Sequence, residues 1–565
     1  MDSEFEQLAA RYVDEVTALS PVSATWLGDH RFDDQLDEVT PEARQRKAAF
    51  HRTVLDRLDA IPRDELSRAN QIDAAMLRHR LRAGLWRLEH LQEWAWDPLA
   101  YTGLAGNAVY SLMARDFAPV EERLNHVTSR LARFPRLLEQ VRATLEAARV
   151  PKVHAETAVK QNPGIVRMLD EMVEPRASAL SSGDRSRLAE AMTTARAAVE
   201  NHQRWLEEEL LPQAAGDFRL GPDLYDTKLA FTLQTPLARR DIRERAESEL
   251  RRTRAEMLQI AADLGRKTQP HAKGDALPSR QREQTLIGAA LEMAYQDMPD
   301  RDRIVDEARA ALARATAFVR DARLVTLPPD PVEVIVMPEF RRGRSLAYCD
   351  SPGPLDVGRR TFYAISPAPA DWTEEQVRSL LREYNRRSLA NLTVHEAMPG
   401  HFLQLTHSNR YPSTLRAMLA SGVFIEGWAV YTERMMADEG FYDGDPLARL
   451  IVLKWYLRGI ANALLDQAIH VEGMTEDQAM RLMMEETFQQ EREAAGKWVR
   501  AQLTSTQLTT YFVGALEHAA LRGEMETAWA GEFDLKRYHD TVLSFGSPPV
   551  QYVRALALDL PIEPA

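Results

Sequence analysis

Four residues between His395 and Glu426 have the types and spacing for metal-assisted hydrolysis. They occur in NLTVHEAMPGHFLQL, which holds His395, Glu396 and His401, and in SGVFIEGWAVYTERMMADEG, which holds Glu426. Neutral imidazole nitrogens bind zinc, and a carboxylate next to one of them can reach a water at the metal. The metal acidifies that water, and the carboxylate takes its proton. The spacing raises a difficulty. At about 3.6 residues per turn, histidines four apart lie ~40° apart around a helix, whereas histidines six apart lie ~240° apart. His395 and His401 are six apart and cannot share an ion on a regular helix. Pro399 has no N–H for the carbonyl of residue 395 and clashes with it. Gly400 tolerates backbone angles closed to other residues. Two residues looped out at Pro399-Gly400 would bring His401 back toward His395. The same pair is equally readable as an ordinary helix end.

Glu426 follows His401 with enough chain between them for one helix to finish and an antiparallel one to begin. Apolar residues flank it, VFI before and WAV after, so its carboxylate is expected to face protein. A buried carboxylate needs a partner, either a metal or an arginine. Glu433 is seven residues on and shares a helix face with Glu426. It is expected either to orient a ligand histidine through the free ring N–H or to pair with Arg387 or Arg434. His407 sits in the polar stretch THSNR and reads as a surface residue. No histidine has a glutamate three residues before it, which removes the common helical di-iron pattern. Nucleophile-elbow, P-loop and dinucleotide fingerprints are absent as well.

The elements that must carry these residues are mostly helical by periodicity. Helices are expected over 1–20, 41–60, 64–95, 119–148, 183–210, 236–264, 283–296 and 300–323. Breaks are expected at 97–107 and 222–231, with a loop at 266–279. Three runs, 327–340, 344–353 and 359–370, are β-branched or aromatic and bounded by Pro and Gly, which predicts a small sheet. Helices resume at 373–398 and continue to about 530, followed by a mixed tail. The expected organisation is an N-terminal helical lobe (1–325), a small sheet region (326–372) and a C-terminal helical region with the chemistry (373–565), sharing one continuous fold.

Composition narrows the functions. The net charge is -13 over 565 residues, with basic and acidic residues interleaved, so no nucleic-acid partner is expected. A single cysteine, Cys349, excludes disulfides within the chain and multi-cysteine zinc sites. The first residues, MDSEFEQLAARYVDEV, are acidic and amphipathic, without a basic segment leading an apolar run. No apolar stretch of ~18 residues occurs. The expectation is a cytoplasmic protein with no membrane partner.

The two motifs together resemble a large bacterial family known as domain of unknown function 885. LSPVSATWLGDHRFD, LREYNRRSLANLTVHEAMPGH, QLTTYFVGALEHAAL and FDLKRYHDTVLSFGSPP extend the resemblance over most of the chain. Tyr538 stands where the family pattern leads one to expect Phe, and SPP replaces a leucine-containing stretch. The family looks like helical zinc peptidases, similar in architecture to thimet oligopeptidase, angiotensin-converting enzyme and the thermostable carboxypeptidases. The resemblance implies a mainly α, two-lobed metallopeptidase-like fold with a deep cleft and one small sheet. It assigns His395, His401 and Glu426 as zinc ligands and Glu396 as general base. The implied reaction is hydrolysis of a peptide or amide bond. A donor for the oxyanion is then needed, for which Tyr511 and His539 are the candidates. Asn391 is expected behind the ligands, capping or steadying the turn before His395. Tyr348, on the strand expected to edge the cleft, is a candidate substrate contact. A specialised small-molecule amide hydrolase and a non-catalytic helical scaffold are the alternatives. The intact His-Glu pair argues against the scaffold.

Overall fold

The chain runs as helices to Asp321, crosses three short strands, and returns to helix at Glu374. A computed structural model describes residues 1–268, 279–337, 346–356, 358–369 and 372–563. Most of the expected loop at 266–279 lies outside the described residues, as do residues 344 and 345 of the expected strand. The molecule is mainly helical with one small sheet.

Several boundaries differ from expectation, each for a local reason. The stretch 97–107, read as a break, begins a helix over Pro98–Met113. Asp97 caps it by accepting from the Leu99 amide at 2.9 Å, and Pro98 occupies the first turn, where its missing N–H costs nothing. Gly103 and Gly106 each cost about 1 kcal/mol of helix propensity. Burial of Tyr101, Ala105, Ala108 and Val109 in the N-terminal core outweighs that. The expected connection at 222–231 is likewise the helix Gly221–Leu233, with Tyr225, Leu229 and Leu233 buried. The single helix expected over 119–148 is two, Val120–Leu131 and Phe134–Thr144, because Pro135 starts a new first turn. The tail is helical, over Leu535–Ser544 and Val550–Ala557.

The sheet has the order β1-β3-β2, with β1 at Val332–Val336, β2 at Ala347–Asp350 and β3 at Thr361–Ile365. β3 is central and carries the buried Tyr363, Ala364 and Ile365. It runs parallel to β1 and antiparallel to β2. β2 is therefore an edge strand. Alternate residues of an antiparallel edge strand turn their amides away from the partner. Tyr363 ties the sheet to the helix Arg386–Glu396, its hydroxyl lying 3.1 Å from Thr393 Oγ1.

Buried clusters cross residue 325. One joins Ile304–Asp321 and the sheet to the helices carrying His395, Glu426 and Tyr538. Another joins residues 225–295 to the helices Pro446–Glu472 and Thr509–Trp529. The helix Gly422–Asp438 contributes to both, through Phe424, Trp428 and Tyr431 on one side and Val423 and Val430 on the other. It is packed around most of its circumference, which accounts for the apolar residues on either side of Glu426.

That helix meets Thr509–Trp529 at a glycine pair. A Cβ on Gly427 would lie 2.3 Å from the Gly514 carbonyl carbon, and one on Gly514 would lie 2.2 Å from the Val423 carbonyl oxygen. The two backbones touch, and no side chain fits between them. Gly427→Ala should cost about 1–3 kcal/mol and lower the midpoint of thermal unfolding. An unchanged midpoint would contradict this close approach.

Candidate metal centre

The first motif helix, Arg386–Glu396, starts at Asn385, whose side chain accepts from the amides of Arg387 and Ser388 at 3.1 Å each. It ends at Glu396. Ala397 leaves helical geometry at φ -128°, the Met398–Pro399 peptide is cis, and a new helix begins at His401. The amides of Ala397 and Met398 both donate to the Thr393 carbonyl, at 2.9 and 3.1 Å. The Gly400 amide donates to the Val394 carbonyl at 2.9 Å, a reach of six residues where a helix spans four. Two residues are thus looped out. A Cβ at residue 400 would sit 1.9 Å from the His395 carbonyl oxygen, so only glycine fits. Trp428 secures the loop from the neighbouring helix by donating its indole N–H to the Pro399 carbonyl at 2.8 Å.

The outcome is that His395 and His401 face each other, ring centroids 4.7 Å apart and nearly perpendicular. Glu426 joins them. Its Oε2 lies 3.9 Å from His395 Nε2 and 3.6 Å from His401 Nε2. One ligand atom from each of the three lies within 4.8 Å of the others. Those separations are long for direct hydrogen bonds. Two ligands each about 2.1 Å from a tetrahedral zinc would stand ~3.4 Å apart, near what is found. Glu426 Oε2 and His401 Nδ1 are buried and make no hydrogen bond among the described residues. The donor set and the orphaned oxygen fit a divalent cation.

The surrounding groups orient these three. His395 donates its Nδ1–H to Glu433 Oε1 at 2.7 Å, which turns Nε2 toward Glu426. Asn391 donates to the other Glu433 oxygen at 2.6 Å, and Tyr442 donates to Asn391 Oδ1 at 3.3 Å. Burial opposes a charged His395 ring. The Glu433 hydrogen bond and the charges of Glu433, Glu396 and Glu426 outweigh burial and raise it to about 9. The pocket carries a surplus of negative charge that a cation would balance. Burial would likewise raise the Glu426 carboxyl, but His401, His395 and Arg500 hold it below its ordinary value.

Glu396 lies on the sheet side of the same turn. Its Oε2 accepts the Cys349 amide of the β2 edge at 3.0 Å. Tyr348 is the adjacent strand residue, half-buried and in register with Ala364. Tyr511 accepts from Arg500 Nη2 at 3.3 Å. Burial and the Glu426 charge both raise its phenol, which puts it within electrostatic reach of the cluster.

Two expectations are corrected. His539 is not a free donor. It is fully buried, its Nδ1–H donates to the Leu324 carbonyl at 2.7 Å, and its Nε2 takes the Tyr431 hydroxyl at 2.8 Å. Burial keeps the ring neutral, pushed down to about 4. No proton is left for an oxyanion. Asn391 does not cap a turn, which Asn385 does, but it does stand behind the candidate ligands as expected, holding the Glu433 that holds His395. The arginines considered for Glu433 are engaged elsewhere, Arg387 with Asp297 and Asp445 and Arg434 over the Tyr456 ring. His407 donates to the Thr326 carbonyl and stays outside the cluster. The Cys349 amide, Trp428 and Arg500 escaped the sequence reading. A backbone amide leaves no signal in residue identity, and Trp428 and Arg500 act across helices whose pairing the sequence does not state.

Fold and cluster together define a mainly helical protein with one small sheet and a two-histidine, one-carboxylate candidate metal site. Residues 21–556 match the family described as "Bacterial protein of unknown function (DUF885)", and the chain belongs to that family. It is similar to a protein from Shewanella oneidensis, described provisionally as a lipoprotein of unknown function, with 33% identity and a TM-score of 0.81 over 98% of this chain and 99% of that one. A second, from Colwellia psychrerythraea and also described provisionally as a lipoprotein, shares the fold at 19% identity and a TM-score of 0.80, covering 99% of each chain. The likeness to a provisional oligoendopeptidase F, at 12% identity and a TM-score of 0.35, is too slight to bear on activity. No curated protein matches the chain. The expected cytoplasmic location is corrected: the Shewanella protein, at 33% identity over nearly the whole chain, is described provisionally as a lipoprotein. No described helix is long and apolar enough to cross a membrane.

Residues behind metal ligands tune affinity. If the cluster holds a divalent cation, Glu433→Gln and Asn391→Ala should each weaken its binding about 10–100-fold, read by competition with a chromophoric chelator. Unaltered affinity in both would remove the orienting role of this pair.

Proposed function

We propose that the chain is a zinc-dependent hydrolase that cleaves a peptide or amide bond, with His395, His401 and Glu426 holding the ion. The observation that carries this reading is the convergence of the three side chains on the orphaned Glu426 oxygen, with Glu396 beside them. Two imidazoles and one carboxylate suit zinc and leave a coordination position open. Zn2+ held there supplies a Lewis acid that polarises a carbonyl and acidifies water.

The remaining work falls to the chain. Glu396 accepts the proton of the attacking water and passes it to the leaving amine. The Cys349 amide holds one Glu396 oxygen and so sets the direction of the other. Tyr511 accepts a hydrogen bond from Arg500, which leaves its own proton free to donate to the developing oxyanion. The outward edge of β2 can pair with an extended substrate backbone, and Tyr348 is the nearby side chain suited to contact it. In this reading the substrate lies in a cleft between helical lobes.

The purified protein should bind about one equivalent of zinc and lose hydrolysis on chelation. Glu396→Gln should keep the metal and lose about 10²–10⁴-fold in turnover, measured by mass spectrometry on a peptide library. A chain that takes up no zinc would fit a scaffold and end the hydrolase reading. Full activity in Glu396→Gln would remove the assigned base.

A further inference from the structure

Beside the candidate metal centre two helices present facing stripes of charge. Lys454, Arg458 and Asn462 recur every four residues along Pro446–Glu472. Glu493, Lys497 and Arg500 recur at four and three along the helix Glu491–Leu503, which packs against it. Helical spacing puts each trio on one face. Glu383 enters from a third helix.

The charges do not balance. Lys454 is paired with Glu383 at 2.7 Å, and Arg458 is paired with Glu493. Among the described residues, Lys497 and Arg500 hydrogen-bond only to neutral groups. Lys497 Nζ donates to Asn462 Oδ1 at 3.1 Å. Arg500 Nη2 donates to Gln507 Oε1 at 3.0 Å and to the Tyr511 hydroxyl at 3.3 Å. Among the described residues, no carboxylate lies within ion-pair distance of either cation. Glu426 feels the Arg500 charge from beyond that distance.

A buried cation with no carboxylate in direct contact is expensive, and Lys497 is only 8% exposed. Burial and the neighbouring Arg458 charge outweigh the Glu493 and Glu383 charges, which lie beyond ion-pair distance, and push it down to about 7. Arg500, Tyr511 and Glu426 are each partly exposed. A planar guanidinium next to an ammonium suits a carboxylate, which can take two charge-assisted hydrogen bonds.

We propose that Lys497 and Arg500 form a subsite for a carboxylate of the substrate, adjoining the residues that hold the metal. The proposal rests on the hydrolase reading and narrows it to acidic substrates. The carboxylate is either the free C-terminus of a short peptide or N-acyl amino acid, or an acidic side chain near the bond to be cut. In both cases the subsite fixes the distance between that carboxylate and the reacting carbonyl.

The test uses zinc-loaded Glu396→Gln protein, so that probes bind without turnover, and isothermal calorimetry. Three probes share one scaffold: benzoyl-Ala-Gln amide is neutral, benzoyl-Ala-Gln acid has a terminal carboxylate, and benzoyl-Ala-Glu amide has a side-chain carboxylate. At least one acidic probe should bind about tenfold or more tightly than the neutral one, and which one does so identifies the source of the carboxylate. Adding Arg500→Gln should abolish the preference, and Arg500→Lys should restore part of it. Lys497→Met, which removes charge from a different contact, should reduce the preference independently and covers the case in which the Arg500 variant does not fold. Equal binding of all three probes, or no binding of any, overturns the proposal. So does a preference that survives Arg500→Gln and disappears on chelation, since the carboxylate would then be on the metal. Hydrolysis by the unmodified chain is scored separately. Cleavage without acid preference removes the subsite alone, and acid preference without cleavage removes the hydrolase reading alone.

Discussion

One hydrogen bond carries much of the arrangement, that from the Gly400 amide to the Val394 carbonyl six residues back. A helical bond spans four residues, and the two extra are accommodated by turning the chain out at Ala397–Pro399. Without that detour His401 would stand on the far side of the helix from His395. With it the two rings come within 4.7 Å, close enough for one ion. The detour demands a residue with no Cβ where it passes the His395 carbonyl, and it demands a partner for the Pro399 carbonyl. Gly400 meets the first condition and Trp428 the second.

Trp428 and Glu426 belong to the same helix, so the loop and the third candidate ligand are held by one element. That helix is packed between two buried clusters and touches the backbone of Thr509–Trp529 at Gly427 and Gly514. Interiors are close-packed and transmit displacement. Glu426 is therefore placed by the core as a whole. Glu433, two turns further on, reaches back to His395, and Asn391 completes the contact from the His395 helix. The two helices are stitched by polar groups where their apolar faces end. The sheet adds the β2 edge amide on Glu396 and the Tyr363 hydroxyl beside Thr393.

The helical stretches, the small sheet and the motif residues were legible because each leaves a periodic or compositional trace. The errors have particular causes. Gly103 and Gly106 suggested a break at 97–107, but their propensity cost is small beside the burial of Tyr101 and its neighbours. His539 has a residue type suited to catalysis, yet its two nitrogens are consumed by Leu324 and Tyr431. Arg500 carries no signal of its own in the sequence. Its significance lies in what surrounds it, neutral groups where Lys454 and Arg458 on the facing helix have carboxylates.

The sequence by itself determined the chemical inventory: two histidines and two glutamates of the right kinds, a Pro-Gly pair capable of interrupting a helix, and an apolar setting that forces Glu426 inward. Spacing along one helix is a local property, and it sufficed to show that a regular helix would separate the histidines. Whether the interruption ends the helix or loops out two residues was settled by the fold, because that choice depends on a carbonyl held by Trp428 from a neighbouring helix. The fold also decided which charges are balanced. Ion pairing in a helical protein is made between elements distant in the chain, so the pairing of Lys454 with Glu383, and the lack of any such partner for Arg500 among the described residues, exist only once the helices are packed.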